Sequence, residues 1–564
     1  MLALKEVIVL LSIIYGITAV SLNNEESRNN TQRNLRRFPA NFLFGASSSS
    51  YQIEGAWNEG GKGWSMWDHL VRTDPDHIDD RSTGDIAANS YHFYKRDIEM
   101  LKELGVSIYR FSISWPRILP FGRHDYVNPE GVAYYNNLIN ELLANDITPF
   151  VTIYHWELPQ NLNEQGGWLT EDIVDWFGDY ARVLYRNFGD RVKHWLTINE
   201  PYIHCNHGYS QGLHAPKILS PGIAFYECGR HILLAHARAY HIYKNEFASQ
   251  GGQISIVISS DMSMPSDDSQ SSYEAMEDYR AFYVGQYMDP IFSATGNYPQ
   301  RLIDRVAQAS ANQGLSESRL RPFTQEQIDY IRGTADFLAL NHYTSKFVYR
   351  NDSLKGTFQV PSHRDDSFVG TYPDPSWMQG DVWLFSYPPG LYKLLVHLKE
   401  RYNDLTIYIT ENGFGYGTTG LVDEKRVTYL RGYINSLLDA IDAGVDIRGY
   451  CAWSLMDNFE WNAGFTMRFG LYEVDFDDVN RTRRPRKSAL VYKEIIRSRV
   501  IDPTYNPDPY AKDDSNSAIV VKTSALFILL SAFVMCPANW NPESNADTIK
   551  PNPKESKEYF QKAN

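Results

Sequence analysis

The stretch HWLTINEP at residues 194–201 indicates the fold of the chain most directly. Its first six residues are mostly apolar, aromatic or β-branched, and they lead directly to the polar pair Asn199 and Glu200. The run is too short for a typical helix, and it lacks the strict alternation of a half-exposed strand. Such a run is typical of a parallel strand that is covered on both faces.

Seven further runs of this kind are spaced along the chain, with amphipathic helical stretches between them. The eight predicted strands are Phe42–Ser48, Ile108–Ser114, Thr148–Tyr154, His194–Asn199, Gln253–Ser259, Asp336–Asn341, Thr406–Thr410 and Gly449–Trp453. The helical patterns include Tyr94–Leu104, Gly131–Ala144, Thr170–Asn187, Ala224–Glu246 and Glu424–Asp442. Alternation of strands and helices indicates parallel strands joined by right-handed crossovers. We therefore predict an α/β fold, a single-domain (β/α)₈ TIM barrel with long loops at its C-terminal face.

A doubly wound open sheet is the alternative architecture. Such sheets usually carry a glycine-rich phosphate loop after the first strand. Here the first strand contains Phe44, Gly45 and Ala46 and runs into serines, with neither a G-x-G-x-x-G pattern nor a P-loop. This favours the barrel. Two stretches rich in Ser, Asp, Pro and Gly, Pro265–Ser272 and Asn351–Asp381, are predicted to be insertions at its mouth.

The composition limits the classes of partner. The chain has 564 residues, of which 43% are apolar and 22% charged, as in an ordinary globular protein. A formal net charge of −14 argues against nucleic acid or an anionic membrane as the main partner. The aromatic content of 14% suits a carbohydrate site, because sugar rings stack on aromatic faces, but it equally suits an aromatic core.

The N-terminus has the pattern of a secretory signal. Lys5 precedes the apolar stretch Val7–Ala19, and a polar segment follows. We predict a signal peptide over residues 1–20, a polar segment over 21–37 and a secreted, extracellular protein, with a retained N-terminal anchor as the alternative. Three N-glycosylation sequons are compatible with secretion, at Asn29, Asn351 and Asn480.

The C-terminal part, residues 501–564, is predicted to be a disordered extension with a short apolar segment at 518–535. This segment is short for a bilayer span, and polar residues follow it, which also differs from a lipid-anchor signal. Membrane association through this tail is therefore the less favoured alternative.

The four cysteines do not form the framework of a small disulfide-stabilised fold. Cys205 and Cys228 could pair in an oxidising compartment, whereas Cys451 lies in an apolar run and is predicted to be a buried free thiol. No Cys and His spacing resembles a metal site, so we predict neither a metal nor a cofactor.

Nearly every predicted strand ends in a hydrogen-bonding side chain or a tryptophan, at the end where a barrel of this kind builds its active site. The groups at these exits are Gln52 with Glu54, Arg110, His155 with Trp156, Asn199 with Glu200, Asp261, Asn341 with Tyr343, Glu411 with Asn412, and Trp453 leading to Glu460 and Trp461. Taken singly, a histidine or tryptophan among them could be a core residue. A barrel with a purely structural role needs no such ring, and we therefore predict an active site.

Two of these exits carry a glutamate in the same setting. Glu200 and Glu411 each follow an apolar run and lie beside an asparagine. Taken alone, either glutamate could be merely a charged residue at the end of a strand. Strands four and seven lie across a barrel from each other, however, so the two carboxyl groups can converge on one bond. Glycoside hydrolysis uses such a pair, with retention at a separation of about 5–5.5 Å and inversion at about 6.5–9.5 Å.

The motifs TINEP at 197–201 and ITENG at 409–413 resemble the acid/base and nucleophile signatures of glycoside hydrolase family 1, the β-glucosidases and their relatives. The resemblance extends over FLFGASSSSYQIEGAW, YRFSISWPR, the His155–Trp156 exit, NHYT and AWSLMDNFEW, and it covers approximately residues 38–498. It implies a glycosidase domain over residues 38–500. The implied activity is that of a retaining β-glycosidase, which forms a covalent glycosyl-enzyme with a small-molecule β-glucoside.

The resemblance also implies roles for individual residues. Glu411 is expected to attack the anomeric carbon, and Glu200 to protonate the leaving group and then activate water. Asn199 is expected to contact the sugar 2-hydroxyl. Arg110 and Tyr343 would orient Glu411, with Asn341 as support. The other expected substrate contacts are Gln52, His155, Glu460 and Trp461 at the hydroxyls, Trp453 beneath the ring and Trp383 on the aglycone side. Burial beside another carboxylate should raise the pKa of the acid, and the nearby arginine should lower that of the nucleophile.

Two positions limit the predicted substrate: Glu460 bears on the sugar, and Glu200 on the type of bond that is cleaved. Glu460 suits neutral hydroxyls and repels a phosphate, and family members that act on 6-phosphosugars lack it, so the glycone is expected to be unphosphorylated glucose, with galactose and fucose as alternatives. Position 200 is Glu, whereas plant thioglucosidases (myrosinases) have Gln at the matching position. Animal thioglucosidases keep the Glu. Thioglucosidase and transglucosidase activities therefore remain alternative predictions. The sequence predicts neither the aglycone nor the oligomeric state. A catalytically silent binding protein is least favoured, because such proteins typically lose a carboxylate and both are present.

Overall fold

The computed structural model describes residues 35–511, except 355–361, 404 and 418. Eight parallel strands form a closed barrel in which each strand pairs with its neighbours in the chain and the first pairs with the last. The strands are β1 Leu43–Ser47, β2 Ile108–Ser112, β3 Thr148–Tyr154, β4 His194–Asn199, β5 Gln253–Ser259, β6 Leu338–Asn341, β7 Ile407–Asn412 and β8 Ile447–Trp453. The predicted TIM barrel is confirmed, and no strand boundary differs from the prediction by more than two residues.

Helices lie between consecutive barrel strands and after the last one. The longer ones are Ser90–Leu104, Pro129–Ala144, Ile173–Phe188, Ala224–Glu246, Gln300–Asn312, Pro388–Tyr402, Glu424–Asp442 and Lys487–Ser498. The shorter ones include Ser50–Ile53, Met66–Thr73, Trp115–Ile118, Gln160–Glu164, Pro201–His204, Gln270–Arg280, Gln286–Phe292, Gln325–Ile331 and His363–Ser367. None of the helices in the described ranges combines the length and the apolar composition that crossing a bilayer requires.

The helix Pro129–Ala144 shows how the sequence sets these boundaries. Asn128 caps its N-terminus by accepting a hydrogen bond from the backbone N–H of Glu130, and proline suits the first helical position. Its buried positions form one stripe along the helix, at Tyr135, Leu138, Ile139 and Leu142. Burial of this stripe against the barrel supplies the stability that a helix of this length lacks in water.

An apolar cluster inside the barrel takes one residue from each of the eight strands. Its members on the strands are Leu43, Ile108, Phe150, Leu196, Val257, Ala339, Tyr408 and Cys451. Cys451 is a buried free thiol, as predicted. Because this cluster occupies the interior, it leaves the carboxyl ends of the strands as the part of the barrel that can hold polar groups.

The predicted insertions are more ordered than their composition indicated. Asn351–Asp381 contains the helix His363–Ser367 and the strand Val369–Tyr372, which joins Met262–Pro265 and Ser345–Arg350 in a three-stranded sheet outside the barrel. The stretch therefore contains regular elements as well as loop. Elements of four or five residues give too little periodicity to detect. The strand forms here because Ser345–Arg350 completes its hydrogen bonds.

Two small antiparallel pairs complete the described strands: Met378–Gln379 with Phe385–Ser386, and Tyr472–Val474 with Arg483–Pro485. Cys205 and Cys228 form a disulfide that joins the loop after β4 to the helix Ala224–Glu246. The predictions for residues 1–20, Asn29 and the segment 518–535 lie outside the described residues.

Candidate active site

The site lies where the barrel strands end. Glu411 is the penultimate residue of β7, and Glu200 directly follows β4. The backbone of Glu200 has φ 47° and ψ 69°, a left-handed conformation that is uncommon for a residue with a side chain. Its N–H donates to the carbonyl of Val257 on β5 (3.0 Å), so the hydrogen bonding between β4 and β5 extends to this residue.

Both carboxylate oxygens of Glu411 accept hydrogen bonds. A guanidinium N–H of Arg110 donates to Oε1, and the hydroxyl of Tyr343 donates to Oε2 (2.6 Å). Burial, together with the nearby charge of Glu411, holds the pKa of Tyr343 well above its ordinary value, so the phenol keeps its proton. Glu411 is therefore held in one orientation beside a fixed positive charge.

Glu200 is buried and accepts a hydrogen bond from the side-chain amide of Asn341 (2.7 Å). Burial raises its pKa to about 8, and the charge of Glu411 adds to this, whereas Asn341 and Arg110 act in the opposite direction. Glu200 is consequently protonated at neutral pH. The two carboxyl groups thus differ in state, one paired with a guanidinium and the other holding a proton.

A continuous series of hydrogen bonds joins the two glutamates. Arg110, which binds Glu411, also donates to Oδ1 of Asn199 (2.7 Å). Asn341, which binds Glu200, donates to the same oxygen (3.3 Å). We call this series, Glu411–Arg110–Asn199–Asn341–Glu200, the carboxyl network. It places both acids at one end of the barrel, as the sequence predicted.

His155 lies beside this network. Its Nε2 is 3.2 Å from the side-chain nitrogen of Asn199, and burial, with the charge of Arg110, holds its pKa well below the ordinary value. A neutral ring that accepts at Nε2 carries its proton at Nδ1. Nδ1 is buried and has no partner among the described residues, so it is free to donate to a ligand.

Gln52 and Glu460 form a second polar pair. Nε2 of Gln52 donates to Oε2 of Glu460 (3.2 Å) and to the carbonyl of Phe459 (3.1 Å). Burial raises the pKa of Glu460 to about 8, with further contributions from the charges of Glu411 and Asp381. This corner of the site therefore favours neutral hydroxyl groups over anions.

Aromatic rings complete the walls. The ring of His155 is nearly parallel to those of Trp453 (12° between planes) and Trp461 (17°), with centroids about 6 Å apart. Trp383 is 45% exposed, and its ring centroid is 5.7 Å from that of Tyr343, so it lies at the outer rim. The sequons at Asn351 and Asn480 are in loops outside this site.

Several contributors were not singled out from the sequence. Thr152 accepts from Nε of Arg110 (3.1 Å), and Thr410 donates to Oδ1 of Asn341 (2.7 Å). Each is a polar residue inside an otherwise apolar strand, which was the available signal. The register of β7 shifts between Ile409 and Glu411, and this irregularity, which lets neighbouring residues both serve the site, has no mark in the sequence.

The arrangement can donate a proton from one carboxyl group and present a fixed carboxylate nearby, beside neutral hydrogen-bonding groups and aromatic rings. Within the described residues, no three His, Cys, Asp or Glu side chains are grouped so that they could hold a metal ion. The chemistry that these groups support is acid-assisted displacement at a sugar carbon.

Comparisons with known proteins agree with this chemistry. The family model for glycosyl hydrolase family 1 matches residues 34–500. Myrosinase 1 of Brevicoryne brassicae is 44% identical over 466 residues, which cover 82% of this chain and 98% of that protein. Cytosolic beta-glucosidase of Homo sapiens is 40% identical over 82% of this chain and 99% of its own length. A mutant of the rice Os3BGlu6 beta-glucosidase, solved in a covalent complex with glucose, is 37% identical, covers 81% of this chain and 98% of its own, and has a TM-score of 0.76.

Replacing Glu411 by Gln should lower the pKa of Glu200. The substitution removes the negative charge that raises this pKa and leaves Arg110 uncompensated, so we expect a decrease of about one unit or more. A carbon-13 NMR titration of labelled glutamate carboxyl groups measures it, with the exposed Glu99→Gln as control. An unchanged or raised pKa would show that the two carboxyl groups are not coupled.

Proposed function

The chain belongs to glycosyl hydrolase family 1, and on this premise we propose that Glu411 and Glu200 carry out a double displacement on β-glucosides at the barrel mouth. The activity is that of a retaining β-glycosidase. The observation that carries the assignment of roles is the carboxyl network, in which one acid pairs with Arg110 and the other holds a proton.

In the first step, an oxygen of Glu411 bonds to the anomeric carbon while the bond to the aglycone breaks. The proton of Glu200 passes to the departing aglycone oxygen. Arg110 and Tyr343 keep the attacking carboxylate in line, which avoids reorganisation during the reaction. The products of this step are the glycosyl ester of Glu411, the free aglycone and the carboxylate of Glu200.

The second step follows from the electrostatics of the first. Burial still raises the pKa of Glu200, but once Glu411 is an ester it has no charge, so its contribution to the raised pKa disappears and the pKa falls. Glu200 is then stable as a carboxylate and takes a proton from water, whose oxygen attacks the anomeric carbon and displaces Glu411. Two inversions give net retention, and Glu200 regains its proton for the next cycle. A transglucosidase would differ only in accepting a sugar hydroxyl in place of water.

The glycone is proposed to be an unphosphorylated glucose. Gln52, Glu460 and the free Nδ1 of His155 offer groups of suitable polarity for hydroxyls. The charges of Glu411 and Asp381 both act on Glu460, so a sugar phosphate would add a further negative charge where the potential is already negative. The relatives named β-glucosidases support glucose as the sugar.

Glu411→Ala should lower kcat on nitrophenyl β-glucoside by roughly 10⁴-fold or more, because the nucleophile is lost. Glu200→Ala should be rescued by azide when the leaving group needs no proton, as in dinitrophenyl β-glucoside, with β-glucosyl azide as product. Glu99→Ala, on the exposed face of a helix, serves as the control. Activity of Glu411→Ala equal to wild type, or labelling of another residue by a 2-fluoroglucoside, would contradict the assignment.

Cleavage of a thioglucoside is the second candidate function, supported by the 44% identity to a myrosinase. Glucosinolates carry a sulfate, so their binding would benefit from an unpaired cation. Asp261 lies close enough to Glu200 to raise its pKa, and the ammonium of the neighbouring Lys346 is 2.6 Å from the Asp261 carboxylate. Because this cation is already neutralised, we propose that an O-glucoside with an uncharged aglycone is the preferred substrate.

This preference predicts that kcat/KM for an uncharged aryl β-glucoside exceeds that for a glucosinolate by about tenfold or more. Asp261→Asn should narrow the gap by freeing the charge of Lys346, and Asp261→Asn with Lys346→Gln should restore it. The measurement is kcat/KM for both substrates on the three proteins. A wild type that prefers the glucosinolate would instead support the thioglucosidase.

We also propose that the protein is secreted. The Cys205–Cys228 disulfide suits an oxidising compartment, and Asn480 is an exposed sequon residue at the surface. One relative is named a cytosolic enzyme, so the family does not decide the compartment. Expression in animal cells should release protein whose N-terminus begins near residue 21 and whose mass falls on enzymatic deglycosylation, less so in Asn480→Gln. Retention in the cytosol with Met1 in place would contradict secretion.

A further inference from the structure

The turn that carries Glu460 and Trp461 has an unusual backbone. Trp461 has φ 51°, a left-handed conformation that bulky residues rarely adopt, and Gly464 has φ 57° and ψ −124°. The turn closes through a hydrogen bond from the N–H of Glu460 to the carbonyl of Gly464 (2.7 Å). Backbone of this kind persists only when its surroundings hold it, and it is often found at binding sites.

Asn462, the next residue, is held from both sides. Its side-chain amide donates to the carbonyl of Leu213 (2.5 Å), and its own carbonyl accepts from the N–H of Asp79 (2.7 Å). The turn is thereby fixed to two other segments, one in the loop after β4 and the other in the loop after β1.

The carbonyl of Leu213 accepts a second side-chain hydrogen bond, from Nε2 of His77 (2.7 Å). One carbonyl oxygen therefore joins three loops that arise from β1, β4 and β8. An ion pair between Lys217 and Asp74 connects the first two of these loops close by. We call His77, Leu213 and Asn462 the loop clasp.

The ring of Trp461 has separate support. It packs against Trp67 (4.8 Å between centroids) and Trp156 (4.9 Å). The loop clasp acts instead on the main chain between Glu460 and Asn462, and so on the direction of the Glu460 carboxyl group. Its hydrogen bonds are at the surface and involve no member of the carboxyl network.

We propose that His77 and Asn462 are positioning residues that set glycone selectivity, by holding the turn that presents Glu460 and Trp461. This inference rests on the proposed role of those two residues in binding the glycone. If the loop clasp opens, the turn can relax from its strained backbone, and Glu460 loses its alignment with the hydroxyl groups at the far end of the sugar. The reacting carbon, held near Glu200 and Glu411, is unaffected.

The test compares nitrophenyl β-glucoside with nitrophenyl β-xyloside, which lacks the hydroxymethyl group at the end of the sugar farthest from the bond cleaved. In Asn462→Ala we expect KM for the glucoside to rise about fivefold to tenfold, with kcat within about twofold, because binding is lost equally in ground and transition states. KM for the xyloside should change less than about twofold. His77→Ala should act in the same direction, and His77→Gln, which keeps a donor, should restore the wild-type ratio.

Asn161→Ala, at an exposed asparagine in the helix Gln160–Glu164, is the matched control and should leave both substrates unchanged. If Asn462→Ala lowers kcat for both substrates alike, or lowers only the melting temperature, the loop clasp is merely structural and the inference is overturned. Glu460→Ala distinguishes failure of the proposed glycone role of Glu460 from failure of the proposed role of the loop clasp. If it leaves the glucoside-to-xyloside ratio unchanged, the proposed glycone role itself fails. If it changes the ratio while the His77 and Asn462 variants do not, only the inference about the loop clasp fails.

Discussion

The hydrogen bond between Arg110 and Glu411 is the interaction on which the site depends. Arg110 is fully buried on β2, and its other N–H groups bind Thr152 and Asn199, so the guanidinium cannot turn away from the carboxylate. A buried charge pair of this kind is costly to desolvate, and it is tolerated where its remaining hydrogen bonds are satisfied. In return it fixes a negative charge that, together with the burial of Glu200, raises the pKa of Glu200 and favours its protonated form. Two residues of the same type thereby take opposite roles because of their neighbours alone.

Much of the fold and of the site could be predicted from the sequence, because the barrel imposes strong local constraints. A strand covered on both faces must be apolar along its length, so β4 and β7 can be recognised from composition alone. The carboxyl ends of parallel strands meet at one edge, so the polar residues that follow them must share a site. Glu200 directly follows β4 and Glu411 lies at the end of β7, so both could be assigned to this edge. Arg110 lies within β2, and its role came from the family resemblance. The roles of individual sugar-binding residues such as Glu460 came only from the family resemblance, since Glu460 lies in the loop beyond Trp453 and not at the end of β8 itself.

The remainder could not be predicted, because it arises from contacts between distant loops and from backbone irregularities. The register shift in β7 and the left-handed conformation of Glu200 depend on which strands pair, and no single segment encodes them. The short strand Val369–Tyr372 exists because Ser345–Arg350 lies beside it. The loop clasp joins His77, Leu213 and Asn462, which have no shared motif and no common spacing. Each of these features becomes visible only when the whole barrel is assembled.

The closure of β1 against β8 has a consequence for synthesis on the ribosome. The hydrogen bond from Gln52 to Glu460 joins residues 408 positions apart, and β8 must pair with β1 before the ring is complete. A nascent chain that has emerged only through β7 already contains both catalytic glutamates, yet it has an open edge and lacks one wall of the sugar pocket. Topologies dominated by such distant pairings fold slowly. Catalytic activity should thus appear abruptly and late in synthesis, when almost the entire barrel has left the ribosomal exit tunnel. Partial translation products should not hydrolyse glycosides.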